Sequence, residues 1–338
     1  MRQAVMTSPG VIQFREVETP RPGPGEVMLR VRRIGVCGSG VHVNKGLHFS
    51  TSYPVVQGHE WSGVVEEVGK GVEGTRIGAK ATATPQIVCG TCRPCRRGDY
   101  HICASLKVQG FHAPGCAQEF FVTAAEKLVP LPDAFTFEQG ALVEPTAVAV
   151  HCTGRAGELR GKNVVVLGAG PIGNLFAQLC RARGGNVLQT DVSDYRLEIA
   201  RKCGVAFTSN AQKESLAEAS ARGFGDEGFE IAFDCAGVEP ALDAAVISIQ
   251  NGGTIVVAAI HEHKPRIHLS WAVEHEITLV GSLMYKYEDY TRAVELIASG
   301  DVITAPLESK HFPFDRYAEA YKFIEEQGEK SMKVFIDR

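Results

Sequence analysis

No charge of one sign dominates this chain. Its 338 residues carry 35 Lys and Arg against 39 Asp and Glu, a formal net charge of -4, and the basic residues form no run. Such a balance excludes the electrostatic footprint of a nucleic-acid or anionic-membrane binder. Long hydrophobic runs are missing too: no stretch reaches the about 18 uninterrupted apolar residues that a transmembrane helix needs. The opening Met1-Arg2-Gln3-Ala4-Val5-Met6 has neither a long apolar core nor a small-residue cleavage site, so the expected compartment is the cytoplasm. Internal repeats, low-complexity segments and disordered linkers are also absent from the pattern.

What is present is an ordinary globular mixture, 44% hydrophobic and 22% charged, able to bury a sizeable core. At about 100–200 residues per domain, the length predicts two domains. The first 150 or so residues are short alternating runs punctuated by Gly and Pro, such as Val27–Arg32 and Ser62–Val68, and predict a partly open β-barrel. From Asn163 the texture changes to buried apolar strands alternating with helical stretches, the signature of βαβ units and a parallel sheet. The predicted strands are 163–167, 187–190, 230–234, 253–258 and 277–280. A helix over 288–299, an extended segment at 311–314, a helix near 316–327 and a last strand over 332–336 follow.

Gly168-Ala169-Gly170-Pro171-Ile172-Gly173 directly follows the first of those strands and opens a helical run. Glycines at this spacing allow a tight turn and a close backbone approach to a pyrophosphate at the helix N-terminus, so Gly168, Gly170, Pro171, Ile172 and Gly173 are expected to bind a dinucleotide. Asp191 follows the second strand, where a carboxylate accepts from an adenosine ribose and repels a 2′-phosphate; NAD is therefore expected rather than NADP. Two alternatives stay open: Asp191 caps the next helix, in competition with Ser193 and Asp194, or Arg196 pairs with a phosphate instead of lying over adenine. Cys235, Ala236 and Ala258 end later strands and are expected on the nicotinamide side.

Four of the ten cysteines, Cys89, Cys92, Cys95 and Cys103, fall within fifteen residues as C-x2-C-x2-C-x7-C. Four thiolates close a tetrahedral site with no open position, which reads as a structural zinc; an iron–sulfur cluster is the rival, because the run shares a ferredoxin-like core. Cys152, Cys180, Cys203 and Cys235 sit in apolar or helical contexts, where a small buried hydrophobe is the default.

Upstream, Gly35-Val36-Cys37-Gly38-Ser39, Gly58-His59-Glu60 and Glu144-Pro145 supply a thiol, an imidazole and two carboxylates, each weak evidence alone. Together with the cysteine lobe and Gly168–Gly173, in this order, they resemble the zinc-dependent medium-chain dehydrogenase/reductase superfamily over essentially the whole chain. The resemblance implies an α/β protein: a GroES-like barrel over 1–148, completed by 283–338, around a Rossmann domain over 149–282. It places Cys37, His59 and Glu144 at a catalytic zinc, with Glu60 an exchangeable ligand, and implies two zinc ions per chain. Ser39 and His42 match its proton relay, although His42 also reads as a surface histidine. The carboxylate at Glu144 resembles polyol, sugar-acid, butanediol and threonine dehydrogenases, and residues 108–115 are most similar to galactonate-type enzymes.

The implied function is hydride transfer between NAD(H) and a secondary alcohol or ketone of a small-molecule polyol or sugar acid, in a homo-oligomer, dimer or tetramer. A threonine- or butanediol-type dehydrogenase is the enzymatic alternative, and a catalytically silent NAD-binding protein the other. Two positions depart from the family pattern. Gly40 replaces the Asp that orients the zinc histidine, and Cys116 replaces a glycine; the latter is expected to be a packed thiol.

Overall fold

Asn163–Leu167 is buried at every position, which requires cover on both faces and suits the centre of a parallel sheet. In the computed structural model, which describes residues 1–48 and 50–338, it pairs in parallel with Asn186–Asp191 on one side and Ile231–Asp234 on the other. The sheet runs Phe207–Asn210, Asn186–Asp191, Asn163–Leu167, Ile231–Asp234, Thr254–Val257, Thr278–Gly281, all parallel. The reversal of strand order on either side of Asn163–Leu167 is the switch point at which doubly wound sheets bind ligands, beyond the strands' carboxyl ends. Phe207–Asn210 escapes a sequence reading because Phe-Thr-Ser-Asn has a single apolar residue; an edge strand needs no more, and Phe207 itself is exposed.

The chain divides into two units, one of Met1–Pro145, Lys286–Ala298 and Glu308–Arg338, the other of Thr146–Tyr285 and Ser299–Leu307. The short segment Ser299–Leu307 belongs with the parallel sheet because Gln178 clamps it. The Ile303 N–H donates to Gln178 Oε1 at 2.6 Å, and Gln178 Nε2 donates back to the Ile303 carbonyl at 3.1 Å.

In the first unit the long strand Glu26–Gly35 is central. Val27, Leu29, Val31 and Ile34 are buried to 0% exposure in a core shared with Trp61 and Phe121. One edge pairs antiparallel with Glu60–Val68, with Gly35 opposite Glu60. The other edge is divided between Lys333–Asp337, with Phe335 opposite Gly35, and Phe120–Ala124. The seven-stranded sheet stays open between Glu308–Pro313 and Leu128–Pro130, and an N-terminal hairpin, Arg2–Ser8 with Val11–Glu16, lies outside its ladder.

Candidate active site and metal centres

Strand pairing assembles the first donor group. Cys37 follows Glu26–Gly35 and caps the short helix Gly38–Asn44, while His59 and Glu60 enter the neighbouring strand at the matching register. One ligand atom each from Cys37, His59 and Glu60 lies within 4.8 Å of the others. His59 is 7% and Glu60 1% exposed. Burial, then the Glu60 carboxylate, pushes the Cys37 thiol up to about 11, against the opposing Lys333 ammonium and the N–H groups of Ser39 and Gly40. His59 Nδ1 is buried without a hydrogen-bond partner among the described residues, a cost of about 1–3 kcal/mol for a polar atom cut off from water. A thiol, an unsatisfied imidazole and a carboxylate converging in one recess are a donor set that fits zinc.

Lys333 is a residue that sequence reasoning missed. It is 3% exposed, and its Nζ donates to Glu60 Oε2 at 2.6 Å and to the Val36 carbonyl at 3.3 Å. Burial works against its charge, yet Glu60, then Cys37 and Glu144, hold the ammonium above its ordinary value. The available signal was a lone lysine in the otherwise apolar Met332-Lys333-Val334-Phe335-Ile336, which alternation alone does not interpret.

Glu144 lies in the first turn of the helix Val143–Arg155 and is 5% exposed. It acts electrostatically on Lys333 but stands outside the close group formed by Cys37, His59 and Glu60. Ser39 and His42 share the helix that Cys37 caps.

Where Gly40 replaces an acidic residue, an added Cβ would meet Tyr321 Oη at 3.6 Å and Gln57 Nε2 at 3.9 Å. Gln57 donates to the Gly40 carbonyl at 3.4 Å and accepts from the Tyr321 hydroxyl, so an amide and a phenol fill that flank instead of a carboxylate. The His59 ring is held by packing: Phe111 lies 4.7 Å from it, and stacks at 4.8 Å on His48 across its other contact. Burial first, then the imidazoles of His112, His42 and His59, holds His48 below its ordinary value. Cys116 is a packed thiol, fully buried against Gly58.

The second donor group is local in sequence. Cys89, Cys92, Cys95 and Cys103 bring their sulfurs within 4.8 Å of one another around the single turn Arg93–Arg96. Backbone N–H groups already aim at them: Cys92 N to Cys89 Sγ, Cys89 N to Cys103 Sγ and Ser105 N to Cys103 Sγ, each at 3.3 Å. The N–H groups of Thr91 and Cys92 pull the Cys89 thiol down to about 6. Donors placed to stabilise thiolates are what a four-sulfur metal site requires.

In the second unit, Gly168 has φ +94 and Gly170 caps the helix Pro171–Ala182, with Pro171 and Ile172 in its first turn. A Cβ on Gly173 would stand 2.1 Å from the Gly168 carbonyl oxygen, so only glycine lets helix and turn approach this closely. Asp191 accepts from Ala169 N at 2.6 Å and from Ser193 N at 2.8 Å. The helix cap is Ser193, not Asp191, since the Ser193 hydroxyl accepts from Arg196 N. The Arg196 guanidinium reaches over the turn, with Nη1 3.8 Å from a Cβ placed on Gly170.

Cys235 packs beneath this turn, 3.3 Å from a Cβ on Gly173, and burial pushes its thiol well above the ordinary value. Ala236 backs Gly168, and Ala258 N donates to the Asp234 carbonyl. Asp234 itself accepts from Ala236 N and Gly237 N and contacts His261 Nε2 at 2.8 Å, a pair that the sequence pattern did not reveal.

Known proteins share this arrangement. The alcohol dehydrogenase GroES-like domain profile matches residues 23–133, and the zinc-binding dehydrogenase profile matches 171–299. The chain belongs to the zinc-dependent medium-chain dehydrogenase/reductase superfamily. It is 36% identical over 317 residues to 2-dehydro-3-deoxy-L-galactonate 5-dehydrogenase of Pseudoalteromonas atlantica, covering 94% of this chain and 92% of that protein. It is 34% identical to L-threonine 3-dehydrogenase of Deinococcus deserti, covering 95% and 94% respectively. Among solved structures, the short chain alcohol dehydrogenase rspB of E. coli CFT073, complexed with NADH, superposes with a TM-score of 0.92 at 28% identity, covering 100% of this chain and 99% of that one. This medium-chain dehydrogenase is thus an oxidoreductase acting on CH-OH groups. No helix among its described residues is long and apolar enough to cross a membrane.

Proposed function

We propose that this protein transfers a hydride between NAD(H) and a secondary alcohol or ketone of a polyol or sugar acid, and that it carries two zinc ions per chain. The convergence of Cys37, His59 and Glu60 within 4.8 Å in a buried recess is the observation that carries the reading. The catalytic zinc would be held by Cys37, His59 and Glu144, with Glu60 exchanging, and the structural zinc by Cys89, Cys92, Cys95 and Cys103. Zinc in the recess supplies Lewis acidity to the carbinol or carbonyl oxygen.

The protein's own residues do the rest. The Cys37 thiolate and a carboxylate set the charge of the recess, while Lys333 balances the Glu60 carboxylate there by an ion pair. Ser39 Oγ takes up the hydroxyl proton as it releases its own O–H proton toward His42. Asp191, anchored by two backbone N–H groups, presents a fixed negative charge where a 2′-phosphate would have to enter, which favours NAD over NADP. Arg196 beside Gly170 offers a cation to the pyrophosphate.

The reading also includes a homo-oligomer, dimer or tetramer, working in the cytoplasm on a small-molecule substrate. Metal analysis should give two zinc ions per chain, and nicotinamide absorbance should change with polyols or sugar acids. One zinc per chain, or a zinc-loaded protein inert toward polyols, sugar acids, diols and threonine, overturns the reading. Inertness would leave a nucleotide-binding protein without catalysis.

A further inference from the structure

A cavity of about 510 Å3 opens in the first unit beside the zinc-donor recess. Phe111 is the shared wall: it lines both spaces, with its ring centre 4.7 Å from that of His59. Three segments supply the polar lining. The N-terminal hairpin gives Gln3 and Arg15, which are cross-strand partners and therefore share a face. Ser50 and Ser52 come from a second segment, and Lys107 and His112 from a third.

The charge of this lining is one-sided. Arg15 and Lys107 contribute two cations, no carboxylate lines the cavity, and neither cation has an acidic partner among the described residues. His112 is fixed in a single orientation: its Nδ1 accepts from Val108 N at 3.1 Å, so its Nε2 carries the hydrogen and donates to Ser50 Oγ at 3.0 Å. That leaves the Ser50 O–H to donate elsewhere. A cleft with two unpaired cations and a hydroxyl donor is built for an anion; an ammonium group would find no counter-charge there.

We infer that the substrate of this dehydrogenase is anionic, and that its carboxylate or phosphate is held by Arg15 and Lys107 in this cleft while the reacting carbon sits at the recess behind Phe111. The inference rests on the dehydrogenase reading and narrows it to sugar acids or phosphorylated polyols. The lengths agree. At about 1.2 Å per bond in an extended chain, five bonds between carbinol carbon and anion span about 6 Å, enough to pass one aromatic ring.

The test uses the full zinc-loaded protein with D-gluconate, sorbitol 6-phosphate and sorbitol as matched acyclic probes. Calorimetric titration should show gluconate or sorbitol 6-phosphate binding at least tenfold tighter than sorbitol, and whichever binds tighter identifies the anion. In Arg15→Gln/Lys107→Gln that preference should collapse toward one, with the loss in KM rather than kcat where turnover is measurable. Raising salt should weaken binding of the anionic probe to the parent protein and have little effect on the double variant. Equal binding of sorbitol and both anions, or an anion preference unchanged in the double variant, overturns the inference even if neutral polyols are oxidised. Anion binding lost in the double variant, without turnover of any substrate, sustains the cleft and sinks the dehydrogenase reading alone.

Discussion

The recess around His59 and the glycine turn around Gly173 lie in different units and are finished to different degrees. In the recess a histidine nitrogen is left unsatisfied and a buried lysine is matched to a buried glutamate, so its charges balance only as a set. In the turn the backbone is held by its own contacts: Asp191 takes two backbone N–H groups, and Gly173 packs against the Gly168 carbonyl. The first arrangement is costly until a metal enters it; the second is preformed for its ligand. Buried polarity left unsatisfied is stabilised by a bound partner, whereas a turn held by its own hydrogen bonds keeps its shape without one.

The difference can be broken first at the donors. Cys37→Ala or His59→Ala should cost at least about 10³-fold in kcat/KM, since Lewis-acid stabilisation is worth several kcal/mol. Zinc should fall from two ions to one per chain while NADH affinity, followed by nicotinamide fluorescence, stays within about twofold; a parallel loss of NADH binding would show that the two regions are not separable. Lys333→Met comes next. Removing one member of a buried ion pair costs about 3–5 kcal/mol, which urea denaturation of the zinc-free protein should register. Added zinc should narrow the gap, because Glu60 then gains a cation.

On the other side of the comparison, Gly173→Ala forces a methyl into the Gly168 carbonyl, an overpacking cost of about 1–3 kcal/mol. NADH affinity should drop about 10–100-fold with both zinc ions retained. The smallest effect concerns Glu214, on the surface of the second unit, which Arg222 and then Ser209 hold at about 2. A carboxyl whose folded value lies below its unfolded one stabilises above about pH 4.5, and that contribution fades as pH falls toward 2. Glu214→Gln should therefore lower stability by roughly 0.2–1 kcal/mol at pH 7, discounted for exposure, and the difference should shrink in thermal melts between pH 5 and 3.

Legibility in the sequence followed distance along the chain. The four sulfurs at 89–103 meet through one short turn, and the fingerprint glycines act within six residues, so spacing alone exposed both. The five strands of the parallel sheet that carry apolar runs were visible for the same reason, and the edge strand Phe207–Asn210 was not. The partnership of Lys333 with Glu60 spans 273 residues and depends on both strands pairing with Glu26–Gly35 at the correct register. No periodicity encodes that register. Phe111 and His48 were equally silent, because ring stacking on His59 leaves no spacing rule behind it.

By itself, then, the sequence determined the two architectures, the cysteine lobe and the nucleotide turn, which rest on local backbone geometry or short-range pattern, while Cys37, His59 and Glu60 were singled out by the family resemblance. Only the tertiary structure decided what completes the recess. It replaced the missing acidic neighbour at Gly40 with Gln57 and Tyr321, set Phe111 against the imidazole, and buried Lys333 beside Glu60. Those choices are made by side chains brought together from distant strands, where burial rather than sequence proximity fixes which charges must meet.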